Sequence, residues 1–186
     1  VLQAVYPVYE NQKIPLIRHL IDDKPEYKTI LIFSSTKRKV SEIVRELKNR
    51  EYTVAGISSD LEQKQREDVL RQFMARKTRV LVATDVLSRG IDIKDIDLII
   101  NFDAPGDAED YVHRVGRTAR ARATGVALTL VNPDDMYKFR KIEQLIGSEV
   151  MKLPVPADIG TGPEWTNNPK RPYSKPRRSF NKRSKK

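Results

Sequence analysis

Short apolar runs alternate with helical periodicities along most of the chain, and this alternation limits the possible folds more than any other feature. The run at 29–33 is almost continuously apolar, which is typical of strands buried on both faces. Apolar residues at helical spacing follow it, at Val40, Ile43, Val44 and Leu47. The alternation continues, with strands expected at 53–57, 79–83, 98–102 and 126–131 and helices at 61–74, from about 107, and at 134–146. This pattern predicts an α/β fold with a parallel sheet covered on both faces.

The loops after the predicted strands carry polar and basic residues, and in such sheets ligands bind at the carboxyl ends of the strands. The loop after 29–33 contains Thr36, Lys37 and Arg38. The loop after 53–57 opens a helix that carries Gln63 and Arg66. Helix capping by Ser, Thr and Asp explains both loops, and a phosphate site at a helix N-terminus explains them equally well.

A third loop, from Thr84 to Asp92, places Arg89 beside Gly90. Glycine allows the backbone to approach a ligand closely, and the arginine and the carboxylates supply donors and acceptors. Taken alone, the loop is explained by a turn that uses Asp and Gly for its geometry. The loop is followed about 20 residues later along the chain by the arginine-rich segment HRVGRTAR, and the two together favour a binding role.

The segment from His113 to Arg120, HRVGRTAR, sets three arginines around a glycine. Arginine stays protonated and presents a planar set of donors that suits phosphate oxygens. The alternative is a solvated helix face with ordinary surface ion pairs. We interpret the segment as an anion site, and His113 by itself as a hydrogen-bonding structural residue.

The net charge of +10 is concentrated at the C-terminus. Residues 165–186 hold nine Lys and Arg and no Asp or Glu, so residues 1–164 hold 26 basic and 25 acidic residues. Pro and Gly residues from 154 onward end regular structure, and we expect 154–186 to be disordered. Trp165, Tyr173 and Phe180 are interleaved with the charges, which favours RNA binding over a merely solubilising tail. The expected tail contacts are Lys170, Arg171, Arg177, Arg178, Lys182 and Arg183.

Several classes of site are excluded by what the sequence lacks. The chain has no cysteine and two histidines, so no disulfide, thiol nucleophile or metal site is expected. No apolar run reaches the roughly 18 residues of a membrane span, so we expect a cytoplasmic protein without a membrane partner. The phosphate-cradling pattern G-x-x-x-x-G-K-[S/T] is also missing. Arginines aimed at phosphate without that cradle indicate half of a composite site, and the start at Val1 suggests a piece of a longer protein.

Taken together, these segments resemble the C-terminal RecA-like domain of DEAD-box ATP-dependent RNA helicases, of the small bacterial type with a basic tail. The likeness covers residues 1–153, and residues 154–186 form the tail. It is carried by four segments in order along the chain, namely 30–38, 60–73, 83–92 and the HRVGRTAR segment. The initial histidine of HRVGRTAR favours DEAD-box proteins over DEAH-type, RecQ-like and repair helicases. The resemblance implies a RecA-like three-layer sandwich.

The resemblance implies a role for each motif residue. Arg117 and Arg120 would be catalytic, reaching the γ-phosphate of ATP bound with Mg²⁺ mainly on an N-terminal RecA-like domain of the same polypeptide. Asp92 and Gly90 would contact the ATP. Coupling between the domains would involve His113, Arg114 and Arg89. The RNA contacts would be Thr84, Gln63, Arg66, Thr36, Lys37 and Arg38.

The implied function is RNA-dependent ATP hydrolysis coupled to local unwinding of RNA duplexes, with ribosome or RNA-decay proteins as further partners. The chain alone should then be inactive. Ser58 and Ser59 stand where the family usually has His-Gly, which puts one RNA contact in doubt, and Ala119 replaces a glycine without expected harm. Two alternatives are a non-enzymatic RNA-binding module and one half of a DNA helicase.

Overall fold

A computed structural model of the chain describes residues 1–85, 93–118 and 125–167. The strands are β1 (Leu2–Pro7), β2 (Ile30–Phe33), β3 (Val54–Ile57), β4 (Val80–Ala83), β5 (Leu98–Asn101), β6 (Val126–Val131) and β7 (Met151–Lys152). The α-helices are α1 (Lys13–Asp23), α2 (Lys37–Lys48), α3 (Gln63–Met74), α4 (Ala108–Val115) and α5 (Met136–Ile146). Short 3-10 helices lie at Glu10–Gln12, Gly116–Thr118 and Pro133–Asp135.

Within the described residues, the seven strands form one sheet in the order β3-β4-β2-β5-β6-β1-β7, and their pairings are all parallel. Ile30 of β2 lies beside Val80 of β4 and Leu98 of β5, and the three strands end level with one another. Each is fully buried, because helices cover both faces. Since parallel strands all point the same way, the loops after β2, β4 and β5 meet at one edge of the sheet.

Alternate residues of the central strands enter two separate cores. Leu31 and Phe33 face the side covered by α3, α4 and α5, whereas Ile30 and Ile32 face the side covered by α1 and α2. The alternation expected from a pleated strand is therefore realised with apolar residues on both sides. This arrangement confirms the predicted three-layer α/β fold.

The C-terminal segment 154–167 packs against the domain, so the expectation of disorder from residue 154 does not hold for this part. Leu153 N donates to Val5 O at 2.7 Å and continues the pairing beyond β7. Gln12 Nε2 donates to Thr161 O at 3.1 Å. Trp165 contacts Phe139 of α5 edge to face, with 6.0 Å between ring centroids. Composition predicted too little apolar surface for order, but these contacts with the domain, Trp165 on Phe139 among them, hold the segment in place.

Candidate functional site

The carboxyl edge of the three central strands collects the polar residues that follow them. Thr84 and Asp85 follow β4, Ser34 and Ser35 follow β2, and Asp103 lies two residues after β5. Ser34, Thr84 and Asp103 are buried, even though they are polar. Buried polar groups need partners, so this edge is where binding or positioning functions are expected.

The side chain of Arg114 connects the loops and strands at this edge of the sheet. It lies in the last turn of α4, whose start is capped by Asp107 accepting from Glu109 N at 3.0 Å, and it is fully buried. Its Nε and Nη2 donate to the two carboxylate oxygens of Asp85 at 2.6 and 2.8 Å. Its Nη1 donates to Asn101 Oδ1 at 3.3 Å and to Asp103 O at 3.1 Å.

These contacts engage the Arg114 guanidinium inside this domain, where it also lies 5.2 Å from the ring centroid of Phe33. The role in coupling to another domain that the resemblance implies for Arg114 stays a prediction. The planar guanidinium group of arginine can donate hydrogen bonds to groups on two strands at once. Arg114 therefore fixes α4 to β4 and β5.

His113 and Arg117 lie on either side of this fixed point. His113 is exposed, and Arg117 is half-buried in the 3-10 turn Gly116–Thr118. Two hydrogen bonds with Ile96 hold this turn in place. Thr118 Oγ1 donates to Ile96 O at 2.5 Å, and Ile96 N donates to Arg117 O at 3.4 Å. Gly125 crosses close to this turn, and a Cβ added there would stand 2.5 Å from Thr118 O.

Asp103 was not predicted from the sequence, and its carboxylate has five polar contacts with other described residues. Burial alone would raise its pKa, but Lys13, Lys39 and the backbone N–H of Ser35 together hold the pKa of Asp103 well below its usual range. The contact with Asp103 also raises the pKa of Lys39, although burial acts to lower it. The available signal was an acidic residue two positions after a mostly apolar strand, at the edge where the loops meet.

Two of the expected RNA contacts have buried polar atoms without a hydrogen-bond partner among the described residues. These atoms are Thr84 Oγ1 and Arg66 Nε. Thr84 is 8% exposed at the end of β4, and Arg66 lies one turn into α3. Gln63 at the start of α3 is exposed, and its Nε2 donates to Glu67 Oε1 at 3.3 Å. A buried polar atom without a hydrogen-bond partner lowers the stability of the fold, and a hydrogen bond to a bound ligand would remove that cost.

The loop after β2 is held as the start of α2. Thr36 caps the helix by accepting from Lys39 N at 3.2 Å, which occupies its hydroxyl oxygen. Lys37 Nζ lies 2.7 Å from Asp60 Oδ1 in an exposed ion pair, and Arg38 is exposed. The Lys37–Asp60 pair joins the loops after β2 and β3, but exposed pairs contribute little and open readily.

Several expected site residues lie outside the described residues. They are Arg89, Gly90, Asp92, Arg120 and, in the tail, Lys170, Arg171, Arg177, Arg178, Lys182 and Arg183. Within residues 1–85, 93–118 and 125–167, no group of three His, Asp or Glu side chains could hold a metal ion. No helix in this same part of the chain is long and apolar enough to cross a bilayer.

Known proteins resemble this chain over the same region. A model of the family "Helicase conserved C-terminal domain" matches residues 12–122. The ATP-dependent RNA helicase eIF4A of Mycosarcoma maydis is 42% identical over 125 residues, which cover 67% of this chain and 30% of that relative. The chain thus spans about a third of the length of such relatives.

Two solved structures share the fold. The E. coli DEAD-box protein SrmB, bound to regulator of ribonuclease activity A, is 29% identical with a TM-score of 0.80, covering 90% of this chain and 97% of that one. S. cerevisiae Dbp5, bound to RNA and ADP BeF3, is 26% identical with a TM-score of 0.76, covering 83% of this chain and 41% of that one.

Proposed function

This chain belongs to the DEAD-box RNA helicases as their C-terminal RecA-like domain, and on that basis we propose that it is the second catalytic lobe of an RNA-dependent ATPase that separates short RNA duplexes. The observation that carries the proposal is the fixed position of the 3-10 turn Gly116–Thr118, which holds Arg117 and is called the arginine turn. Buried Arg114 holds α4 to the sheet, so that His113 and Arg117 flank a rigid point at the carboxyl edge. The chain lacks the phosphate-cradling loop that a complete nucleotide site needs.

On this proposal, ATP and its Mg²⁺ are bound mainly by an N-terminal RecA-like domain of the same polypeptide. Arg117 and Arg120 neutralise charge on the γ-phosphate when the two domains close, and Asp92 and Gly90 contact the nucleotide. Phosphoryl transfer depends on positioning and charge neutralisation, so arginines supplied from a second domain make hydrolysis depend on closure. His113 and Arg89 then contact the opposing domain, while Arg114 acts from inside this one.

RNA is the second ligand of the proposed closed state. Buried Thr84 Oγ1 and Arg66 Nε, each without a hydrogen-bond partner among the described residues, support backbone contacts at this edge. Gln63, Lys37 and Arg38 add exposed donors. The structure of Dbp5, which shares this fold, contains RNA and ADP BeF3 together.

The basic tail provides a further contact that does not depend on RNA sequence. Nine basic residues without an acidic one in 165–186 attract polyanions, so we propose that the tail binds RNA or ribosomes. Proteins of RNA decay are a second class of partner, and the structure of SrmB with regulator of ribonuclease activity A supports binding of a protein partner by a related chain.

ATP turnover by the protein that joins this chain to its N-terminal domain, measured with RNA, with DNA and without nucleic acid, tests the proposal. We expect stimulation by RNA only, and no turnover by this chain alone. Equal stimulation by DNA would favour a DNA helicase. RNA binding without turnover in the joined protein would favour the non-enzymatic RNA-binding module.

A further inference from the structure

The carboxylate of Asp103 holds the loop that follows β2. Its Oδ2 accepts from Ser34 Oγ at 3.2 Å, from Ser35 Oγ at 3.0 Å and from Ser35 N at 3.1 Å. The next residue, Thr36, begins the stretch to Arg38 that is proposed to contact RNA. The position of that stretch is therefore set by a side chain from the loop that follows β5.

The other carboxylate oxygen, Oδ1, binds two lysines from different helices. Lys39 Nζ of α2 lies 2.9 Å from it, and Lys13 Nζ of α1 lies 3.4 Å from it. Lys13 is fully buried, and its Nζ also lies 3.0 Å from Glu10 Oε2 and 4.9 Å from the ring centroid of Phe102. A charged group that is buried and satisfied on both oxygens is rigid, because any movement leaves a buried charge unpaired.

The backbone carbonyl group of Asp103 holds helix α4 through Arg114. Asp103 O accepts from Arg114 Nη1 at 3.1 Å, and the remaining donors of Arg114 bind Asn101 and Asp85. Residue 103 is thus bonded to the loop after β2 through its side chain and to α4 through its carbonyl group. Asp103 itself is only 4% exposed, so it is not placed to touch RNA or nucleotide.

We infer that Asp103 is a positioning residue that transmits displacement of the RNA-contacting loop after β2 to Arg114, and hence to the arginine turn at Gly116–Thr118. This inference rests on the proposed function for the identity of the two ligands. A densely packed, fully bonded contact moves as a unit, so RNA that shifts Ser35 also shifts the carbonyl group that Arg114 holds. Asp103 then adds to RNA-dependent ATP hydrolysis without contacting either substrate.

Side-chain NMR of this chain tests the inference. The Nε–H resonance of Arg114 and the backbone amides of 35–38 are followed while a short oligouridine RNA is added. In the wild-type chain we expect both sets of signals to shift. In Asp103→Asn the amides still respond and the Arg114 response is lost, because one acceptor oxygen becomes a donor facing serines and lysines.

A milder pair of variants decides the matter if Asp103→Asn does not fold. Ser35→Ala removes one hydroxyl that donates to Asp103, and Ser41→Ala makes the same change at an exposed position of α2 outside this cluster. We expect a weakened Arg114 response in Ser35→Ala and the wild-type response in Ser41→Ala. An unchanged response in Ser35→Ala would overturn the inference.

The two proposals fail in different ways in this experiment. RNA that shifts the amides of 35–38 in the wild-type chain but leaves the Arg114 resonance unmoved would overturn the positioning role alone. RNA that shifts neither set of signals would overturn the positioning role and the proposed RNA contact together.

Discussion

Replacing Arg114 with alanine removes the side chain that joins α4 to β4 and β5, and the loss of stability can be worked out from its contacts. Asp85 loses two guanidinium bonds of 2.6 and 2.8 Å. Asn101 Oδ1 and Asp103 O lose a shared donor at 3.3 and 3.1 Å. Breaking one side of a buried ion pair costs about 3–5 kcal/mol. Because the Asp85 side chain is 36% exposed, water compensates in part, and we expect a loss near the lower end, about 3 kcal/mol.

Urea denaturation of this chain, followed by circular dichroism, measures this loss. With a slope of about 2 kcal/mol per molar urea, the midpoint should fall by about 1.5 M. Arg114→Lys should give an intermediate loss, because an ammonium group keeps the charge but cannot bond as a planar fork.

Arg71→Ala is the matched control. The Arg71 side chain is 69% exposed and lies 3.3 Å from Asp68, and such exposed pairs contribute about 0–1 kcal/mol. If Arg114→Ala costs no more than Arg71→Ala, Arg114 does not fix the arginine turn, and its assignment to the inside of this domain is wrong.

Three further predictions concern the surroundings of the site. Gly125→Ala should destabilise the chain by about 1–3 kcal/mol in a thermal melt, because the new Cβ would clash with Thr118, whereas Gly106→Ala, with nothing within 4 Å of its added Cβ, should leave the melting temperature unchanged. Ending the chain at residue 153 should cost about 2 kcal/mol, or about 4–8 °C in melting temperature, because the contact of Trp165 with Phe139 is lost. Ending it at residue 167 should leave the melting temperature unchanged, weaken RNA binding and flatten its salt dependence. Equal melting temperatures for the two truncations would contradict the packing of 154–167. The lowered pKa of Asp103 stabilises the fold above the ordinary carboxyl pKa of 3.8, so the free energy of unfolding should fall as the pH drops below that value, and an equally steep fall in a folded Asp103→Asn variant would show that Asp103 is not responsible.

The architecture was predictable because it depends on local patterns. Strands β2, β4 and β5 are short apolar runs whose neighbours are also apolar, and only a sheet covered on both faces accommodates such runs. The expected helices formed with small shifts at their ends; the helix expected at 134–146, for example, is α5 at Met136–Ile146. The loops at the carboxyl edge follow from this topology without further information.

The details of the site were less predictable, because they depend on contacts between distant parts of the chain. Nothing local distinguishes Arg114, which is buried, from Arg117, which is half-buried three residues later. The pairing of Lys13 with Asp103 spans 90 residues, and neither residue belongs to a motif. Likewise, 154–167 is held by contacts with distant residues, such as Trp165 with Phe139 and Thr161 with Gln12, which composition alone does not show.

The central claim is that this chain supplies an arginine to a nucleotide held by another domain. The most direct measurement is the rate of RNA-stimulated ATP hydrolysis by the protein containing both domains, in the wild type and in Arg117→Ala, with Arg71→Ala as control. We predict that Arg117→Ala lowers the turnover number by about a thousandfold with RNA saturating and leaves the circular dichroism spectrum unchanged, while Arg71→Ala turns over normally. Near-normal turnover in Arg117→Ala would contradict the account.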